Sequence, residues 1–217
     1  MSIKINILTR TSNRPNGFNI CANSVKNQTY DNINHIVCYD NDNDISYIDN
    51  FDVTKVKIDR ELIIKNDTSA NPNNSAFWFS PHNLYCNELL DNVEDGWIMF
   101  LDDDDMLLND TVIEEIVSEV KDEDTMLIWQ MRYPRGNVLP TEQSFNSKTI
   151  RLGGIGSPCF LIHSKWKGKA RWDAYKCGDF RFLNEIFKMI PNKHWIMKPF
   201  IQLNNAGGHG KKIDLKF

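Results

Sequence analysis

The chain has 217 residues, of which 41% are hydrophobic and 11% aromatic, so it can build the core of a folded domain and is not a disordered segment. The formal net charge is −4 and the sequence has no basic stripe, which argues against a nucleic-acid partner. The five cysteines are odd in number and form no Cys-x-x-Cys pair, which predicts free thiols in a reducing compartment.

The first half of the chain is predicted to alternate strands with helices. The apolar run at residues 3–8 predicts a buried first strand, and Pro15 then opens a helix, because proline is favoured at the first helical position. Residues 97–101 are wholly apolar, which predicts a central strand covered on both faces. The other elements predicted here are strands over residues 34–39 and 53–58, a loop over 65–80 and a helix from 81 to about 93.

The second half is predicted to continue this alternation. Residues 109–121 carry apolar side chains at helical spacing, and Thr111 with Glu114 predicts a capping box. The remaining predicted elements are strands over 126–131 and 195–203 and a helix over 179–190. The pattern predicts an α/β fold, a three-layer domain with a mostly parallel central sheet. In such sheets ligands bind at the carboxyl ends of the strands.

The sequence shows no sign of membrane insertion or export. Its longest apolar runs are far too short to cross a bilayer, and its first residues lack the apolar run of a signal peptide. We therefore expect a protein of the cytoplasm without an integral membrane segment.

The strongest functional signal is a run of four acids, Asp102, Asp103, Asp104 and Asp105, directly after the apolar strand at 97–101. Crowded carboxylates repel one another unless a cation lies among them, and their oxygens suit Mn²⁺ or Mg²⁺. A solvated acidic turn before a helix is the alternative. An EF-hand is a poor alternative, since the positions that need Gly and Glu hold Leu107 and Ile113.

Segments upstream of the acidic run carry a family resemblance. Residues 9–15 read Thr-Arg-Thr-Ser-Asn-Arg-Pro after the first strand, and residues 24–30 read Ser-Val-Lys-Asn-Gln-Thr-Tyr at a helix end. Asp40 and Asn41 follow the second strand, and Asn87 stands fifteen residues before Asp102. In this order, together with the DxD-type acids, the chain resembles family 2 glycosyltransferases, which are nucleotide-sugar-dependent enzymes with the GT-A fold.

The resemblance is looser elsewhere. Tyr85 and Cys86 stand where the family often has Ala-Arg, and residues 134–169 match no motif of the family. Gly178-Asp179 resembles the family's base motif, and residues 207–210, Gly-Gly-His-Gly, resemble its His-containing tail. The resemblance implies one catalytic domain over 1–217, with a nucleotide-binding half at 1–105 and an acceptor-binding half with a C-terminal tail at 106–217.

The resemblance also implies roles for individual residues. The nucleotide-binding residues implied are Thr9, Arg10, Thr11, Arg14, Asp40, Asn87, Asp102 and Asp103. The metal ligands implied are Asp104, Asp105 and His209, holding Mn²⁺ or Mg²⁺. Guanidinium groups match phosphate oxygens, and a carboxylate at a strand end can accept hydrogen bonds from uracil or ribose. Asp103 is expected to point away from Asp102, because neighbours on an extended segment alternate sides.

Asp179 is the candidate general base of an inverting transfer, since one carboxylate must take the proton of the attacking acceptor hydroxyl. A helix N-cap is the alternative role for this residue. The expected donor is a nucleotide sugar, and a UDP-sugar is the first candidate. The expected acceptor is a glycan, a protein or a small molecule. Trp166, Trp172 and Tyr175 are candidate sugar-stacking rings or core residues.

Two other functions remain open from the sequence. A nucleotidyltransferase that makes nucleotide sugars has the same α/β layout, but it carries a Gly-rich loop after the first strand, and residues 9–15 contain no Gly. An inactive nucleotide- or carbohydrate-binding module is the second alternative. Retention of the acidic run and of Asp179 favours an enzyme over such a module.

Overall fold

The computed structural model describes residues 2–204, and within them nine strands form one sheet in the order β3-β2-β1-β4-β8-β6-β9-β5, with β7 paired to β6. The strands are β1 (Ile5–Thr11), β2 (Ile33–Tyr39), β3 (Thr54–Lys57), β4 (Trp97–Phe100), β5 (Asp105–Leu107), β6 (Thr125–Arg132), β7 (Val138–Leu139), β8 (Phe160–His163) and β9 (Asn192–Leu203). The helices are α1 (Pro15–Lys26), α2 (Ile45–Ile48), α3 (Arg60–Lys65), α4 (Tyr85–Asp91), α5 (Val112–Ser118), α6 (Glu142–Ser147) and α7 (Gly178–Met189).

The first half of the sheet is parallel. Strand β1 pairs in parallel with β2 on one side and with β4 on the other, and β3 extends the sheet beside β2. Strand β4 is a continuous apolar run in which every residue is buried, as expected for a central strand that is covered on both faces. The predicted α/β class with a mostly parallel central sheet is confirmed.

The second half of the sheet is mixed. Strand β8 runs antiparallel to both β4 and β6, while β9 runs parallel to β6 and antiparallel to β5. The largest fully buried side chains of this half, Trp129, Phe160 and Phe200, fill its interior. Trp129 donates its indole N–H to the Pro158 carbonyl at 2.8 Å, which satisfies its polar atom inside the core.

Three local predictions need correction. The helix expected over 109–121 is only α5, and Thr111 does not form the capping box, because its hydroxyl donates to the side chains of Asn109 and Glu115. The helix expected from residue 81 begins as a 3-10 turn and becomes α-helical only at Tyr85. The sequence also did not predict β5, whose first residue is Asp105, the last acid of the run. Among the described residues, no helix combines the length and apolarity that a bilayer crossing requires.

Candidate active site

The carboxyl ends of the parallel strands bring the predicted polar residues to one edge of the sheet. Arg10 lies near the end of β1, Asp40 follows β2 and Asp102 follows β4 by two residues. The three strands are direct neighbours, so residues far apart in sequence meet there. The Arg10 Nε donates to Asp102 Oδ1 at 3.2 Å across 92 residues of sequence.

Asp102 and Asp103 have different partners. Asp102 accepts from Arg10 and, at 3.5 Å, from the Ser157 hydroxyl. Asp103 is almost fully buried and accepts from Arg14 Nη1 at 2.7 Å. Burial raises the pKa of Asp103 to about 7, although the Arg14 charge acts in the opposite direction. The Asp103 side chain therefore faces the protein interior.

Arg14 holds the acidic run together. Its Nη2 lies 2.7 Å from Asp104 Oδ2, so one guanidinium pairs with both Asp103 and Asp104. Asp105 starts β5 and is buried, which raises the pKa of its carboxyl well above the usual range. Arg14 is thus engaged by two carboxylates, whereas the sequence interpretation assigned it to the diphosphate.

Thr9 and Thr11 are enclosed. The Thr9 hydroxyl donates to the Leu101 carbonyl at 2.8 Å, and the Thr11 hydroxyl lies 3.0 Å from the Tyr47 hydroxyl. Their side chains are buried, with exposures of 0% and 2%. The Thr9 bond holds the segment leading to the acids, and within the Thr-Arg-Thr motif it is Arg10 that donates to Asp102.

Asp40 offers an unused acceptor. Its Oδ2 accepts from the Tyr85 hydroxyl at 2.7 Å and lies 3.6 Å from Arg60 Nη1. Its Oδ1 is buried and has no hydrogen-bond partner among the described residues. A buried carboxylate oxygen without a donor costs free energy unless a ligand supplies one. Tyr85 thus orients the carboxylate that the sequence placed at the base pocket.

Asn87 has a role that the sequence did not reveal. Its Nδ2 donates to the Trp172 carbonyl and its Oδ1 accepts from the Trp172 backbone N–H, both at 2.9 Å. Asn87 therefore clamps the segment before α7, and it lines a separate cleft of about 630 Å³ between α3 and α4. The structure does not place Asn87 with Asp102.

Asp179 and Asp102 line one pocket of about 220 Å³. Tyr133 and residues of the segment 153–158, among them Gly153 and Gly156, also line it. Burial raises the pKa of Asp179, and the nearby Asp102 raises it further. The N-cap of α7 is Cys177, so Asp179 lies inside the first turn and the cap interpretation is wrong.

Two of the predicted metal ligands, Asp104 and Asp105, lie within the described residues. The described residues supply hard carboxylate oxygens of the kind that Mn²⁺ and Mg²⁺ prefer, in Asp104 and Asp105. Within residues 2–204 no three His, Cys, Asp or Glu side chains cluster as a complete ligand set. The third predicted ligand, His209, lies outside the described residues. The carboxylate oxygens of Asp104 and Asp105 fit such an ion, and its other ligands would lie outside these two side chains.

Two glycines support this site and were not identified from the sequence as structural requirements. A Cβ on Gly17 would lie 2.9 Å from the Asp103 carbonyl oxygen, so only glycine lets α1 approach the acidic run. A Cβ on Gly178 would lie 2.9 Å from Asn83 Nδ2 and from the Asp173 carbonyl oxygen. Close backbone approach leaves no pattern in a single sequence, since it depends on a distant segment.

The fold of this chain is similar to the folds of solved protein structures. No protein-family model matches the chain, and no curated protein matches it in sequence. The fragment 1–349 of S. aureus TarS superposes with a TM-score of 0.68 at 14% identity over 94% of this chain. The same fragment in complex with UDP gives 0.67 at 14% identity over 92%.

A second solved structure is similar to this chain. The mannosyltransferase PcManGT from Pyrobaculum calidifontis, in complex with GDP-Man and Mn²⁺, gives a TM-score of 0.61 at 10% identity over 97% of this chain. The present chain spans 61%, 60% and 59% of the lengths of these three chains. At such identities the likeness establishes a shared fold, which agrees with the GT-A prediction.

Proposed function

We propose that this chain transfers a sugar from a nucleotide-sugar donor, expected to be a UDP-sugar, to an acceptor hydroxyl. The observation that carries the proposal is the pocket lined by both Asp102 and Asp179, at the carboxyl edge of the parallel strands and beside Arg10. The complexes of the two similar folds with UDP and with GDP-Man support a nucleotide-sugar donor. The motif order supports the finer assignment to a family 2-like enzyme, and the five free cysteines support a cytoplasmic location.

The nucleotide is proposed to lie against Asp40 and Arg10. The free, buried Oδ1 of Asp40 would accept a hydrogen bond from the base or ribose, and Tyr85 keeps that carboxylate in place. Burial alone would lower the pKa of Arg10, but Asp102 raises it, so the guanidinium stays charged and suits a diphosphate. Thr9, Thr11 and Asp103 support this pocket from beneath.

Asp104 and Asp105 would hold a divalent cation, with His209 as the further predicted ligand. When bound, this ion supplies positive charge that stabilises the departing nucleoside diphosphate. Arg14 pairs with Asp104, so the guanidinium already neutralises part of the acidic run. The Mn²⁺ complex of PcManGT supports this assignment.

Asp179 is proposed to act as the general base. It would accept the proton of the acceptor hydroxyl while the oxygen attacks the anomeric carbon and the bond to the diphosphate breaks, which inverts that carbon. Its first-turn position in α7 favours the ionised form, whereas burial and Asp102 favour the protonated one. The net effect is a raised pKa, so Asp179 takes up a proton at a pH above the usual 3.8 of an aspartate. A protonated carboxyl cannot act as the base, and kcat should therefore fall as the pH drops through this raised pKa.

The test is Asp179→Asn in an assay of UDP release from UDP-glucose and UDP-N-acetylglucosamine, where water serves as the acceptor. The variant keeps the side-chain shape but cannot take a proton. Its hydrolysis rate should fall by roughly 10²–10⁴-fold while the UDP affinity, measured by calorimetry, stays unchanged. Asp52→Asn, an exposed acid away from the site, is the matched control and should behave as wild type.

Three results would change the proposal. A wild-type hydrolysis rate in Asp179→Asn would place the base elsewhere. UDP binding without hydrolysis of any UDP- or GDP-sugar would favour a binding module. Formation of a UDP-sugar from UTP and a sugar phosphate would favour the nucleotidyltransferase.

A further inference from the structure

Three consecutive aromatic residues, Phe77, Trp78 and Phe79, form a strip at the surface, and we call this segment the aromatic strip. Trp78 is 44% exposed and Phe79 is 50% exposed. The other exposed large hydrophobic residues of the described chain, Leu62, Leu152, Met189 and Met197, are scattered singly along the sequence. Single exposed hydrophobics are ordinary, but adjacent exposed aromatic rings indicate a binding surface.

The backbone of the aromatic strip is fixed to the segment before α7. The Ser80 N–H donates to the Ala174 carbonyl at 2.7 Å, and the Lys176 N–H donates to the Trp78 carbonyl at 2.9 Å. Between these bonds, Phe79 and Tyr175 form an antiparallel bridge. The strip is therefore the surface edge of a small ladder, although it follows a long loop rich in Asn and Ser.

The rings themselves are held in place. The Phe79 and Tyr175 rings meet edge to face with their centroids 5.8 Å apart. The Lys176 ammonium lies 3.8 Å from the centroid of the Trp78 ring, a cation–π contact. Arg181 places its guanidinium 5.0 Å from the Phe77 ring while pairing with Asp173. Rigid rings lose little entropy when a ligand covers them.

Hydrogen bonds connect this ladder to the candidate active site. The Tyr175 carbonyl accepts from Asn83 Nδ2 at 2.7 Å, and Asn83 Oδ1 accepts from Arg10 Nη1 at 3.0 Å. The same carbonyl accepts from the Gly178 N–H at 3.0 Å, one residue before Asp179. These bonds join the backbone beside the aromatic strip to Arg10 and to the first turn of α7, which carries Asp179.

We propose that the aromatic strip binds the carbohydrate acceptor by stacking a sugar ring on Trp78 and Phe79. This inference rests on the proposed function, since it takes Asp179 as the base toward which the acceptor hydroxyl points. The C–H face of a sugar ring is apolar and weakly positive, so it complements the negative face of an aromatic ring. The hydroxyls at the edge of the sugar stay in water or bond to the polar residues around the strip.

The charge of the segment favours a sugar over a membrane surface. Residues 65–80 contain one lysine and one aspartate, so the loop that carries the strip has no net charge. Of the two cations beside its rings, Arg181 is paired with Asp173, which leaves Lys176. Anionic membranes attract clusters of several lysines and arginines beside their aromatic anchors. The backbone pairing with residues 174–176 also keeps the strip on the protein surface.

The experiment measures binding of cellotriose, chitotriose and maltotriose to the full chain by saturation-transfer NMR in the presence of UDP and Mn²⁺. At least one trisaccharide should bind the wild type. Trp78→Ala with Phe79→Ala should weaken that binding about tenfold, the scale of one aromatic contact. Trp78→Phe should retain most of it, and Met197→Ala, an exposed apolar residue on β9, should match the wild type.

The outcomes separate this inference from the proposed function. UDP affinity of the double variant should equal that of wild type, because the strip lies outside the nucleotide site. Failure of wild type to bind UDP would overturn the proposed function, while the trisaccharide comparison would still decide the role of the strip. Absence of trisaccharide binding, equal binding by the double variant, or sedimentation with phosphatidylglycerol vesicles that Trp78→Ala abolishes would overturn the inference.

Discussion

At the scale of single residues, two linked and buried hydrogen bonds lead to the acidic run. His35 Nε2 lies 2.9 Å from the Thr9 hydroxyl, which in turn donates to the Leu101 carbonyl, one residue before Asp102. Because the Thr9 proton goes to Leu101, the His35 Nε2 must carry a hydrogen and donate to Thr9. These two hydrogen bonds join β2, β1 and the residue that follows β4, directly before the acidic run.

His35 makes the stability of the protein depend on pH. Burial lowers its pKa from 6.5 to about 4, so the folded protein keeps it neutral where the unfolded chain protonates it. The unfolded state then binds more protons, and this contribution to stability is present above pH 6.5 and is lost as the pH falls toward 4. Between pH 7 and pH 5 the loss from this group should be roughly 2 kcal/mol.

Urea unfolding at pH 7 and pH 5 measures this loss. His35→Gln keeps an N–H for Thr9 but cannot titrate, so the difference in unfolding free energy between the two pH values should shrink by about that amount. His163→Gln, at the end of β8 and opposite Trp97 of β4, is the control for removing a histidine. An unchanged pH dependence in His35→Gln would show that His35 does not carry the effect.

At the scale of secondary structure, helix α1 must approach the acidic run closely. Gly17 lies in its first turn, and any Cβ there would contact the Asp103 carbonyl oxygen at 2.9 Å. Alanine would gain up to about 1 kcal/mol of helix propensity. Overpacking against a fixed backbone atom costs about 1–3 kcal/mol, so the clash should outweigh the gain.

Gly17→Ala should therefore destabilise the protein by about 1 kcal/mol in thermal or urea unfolding. It should also weaken metal-dependent UDP binding, because Asp103 and Asp104 must shift. Gly168→Ala is the matched control, since a Cβ there meets no atom within 4 Å, and it should change stability by less than about 0.5 kcal/mol. A stabilised Gly17→Ala variant would show that α1 can move away freely.

At the scale of the whole molecule, the two halves of the sheet meet at the site. Asp102 comes from the parallel half, whereas Ser157 and Asp179 come from segments flanking the mixed half. A ligand that contacts both halves should stabilise the native state against unfolding. At one hundred times its dissociation constant this amounts to about 2.7 kcal/mol.

For a chain of this length, that stabilisation corresponds to a Tm increase of about 5–10 °C. UDP with Mn²⁺ should therefore raise the Tm by that amount, and UDP with a chelator should raise it much less. Asp104→Ala should remove the difference between the two conditions without lowering the Tm of the unliganded protein by more than a few degrees. Equal shifts with Mn²⁺ and with chelator in the wild type would contradict the metal assignment.

The fold class and the position of the site follow from local patterns in the chain. The apolar runs of β1, β2 and β4, each ending in polar residues, predict parallel strands with chemistry at their carboxyl ends. These signals are readable because each lies within about ten consecutive residues. The order of motifs from residue 9 to Asp105 predicts the GT-A fold for the same reason, and the comparison of structures agrees with it.

The contacts of each polar side chain depend on segments far apart in the sequence. Arg14 pairs with acids 89 or more residues away. The Thr9 hydroxyl donates to the Leu101 carbonyl, and Asn87 donates to the Trp172 carbonyl across 85 residues. A motif states which residue types are present, but burial and partners arise only when distant strands pack side by side. For this reason the tertiary structure alone distinguishes the side chains that face the pocket from those that support it.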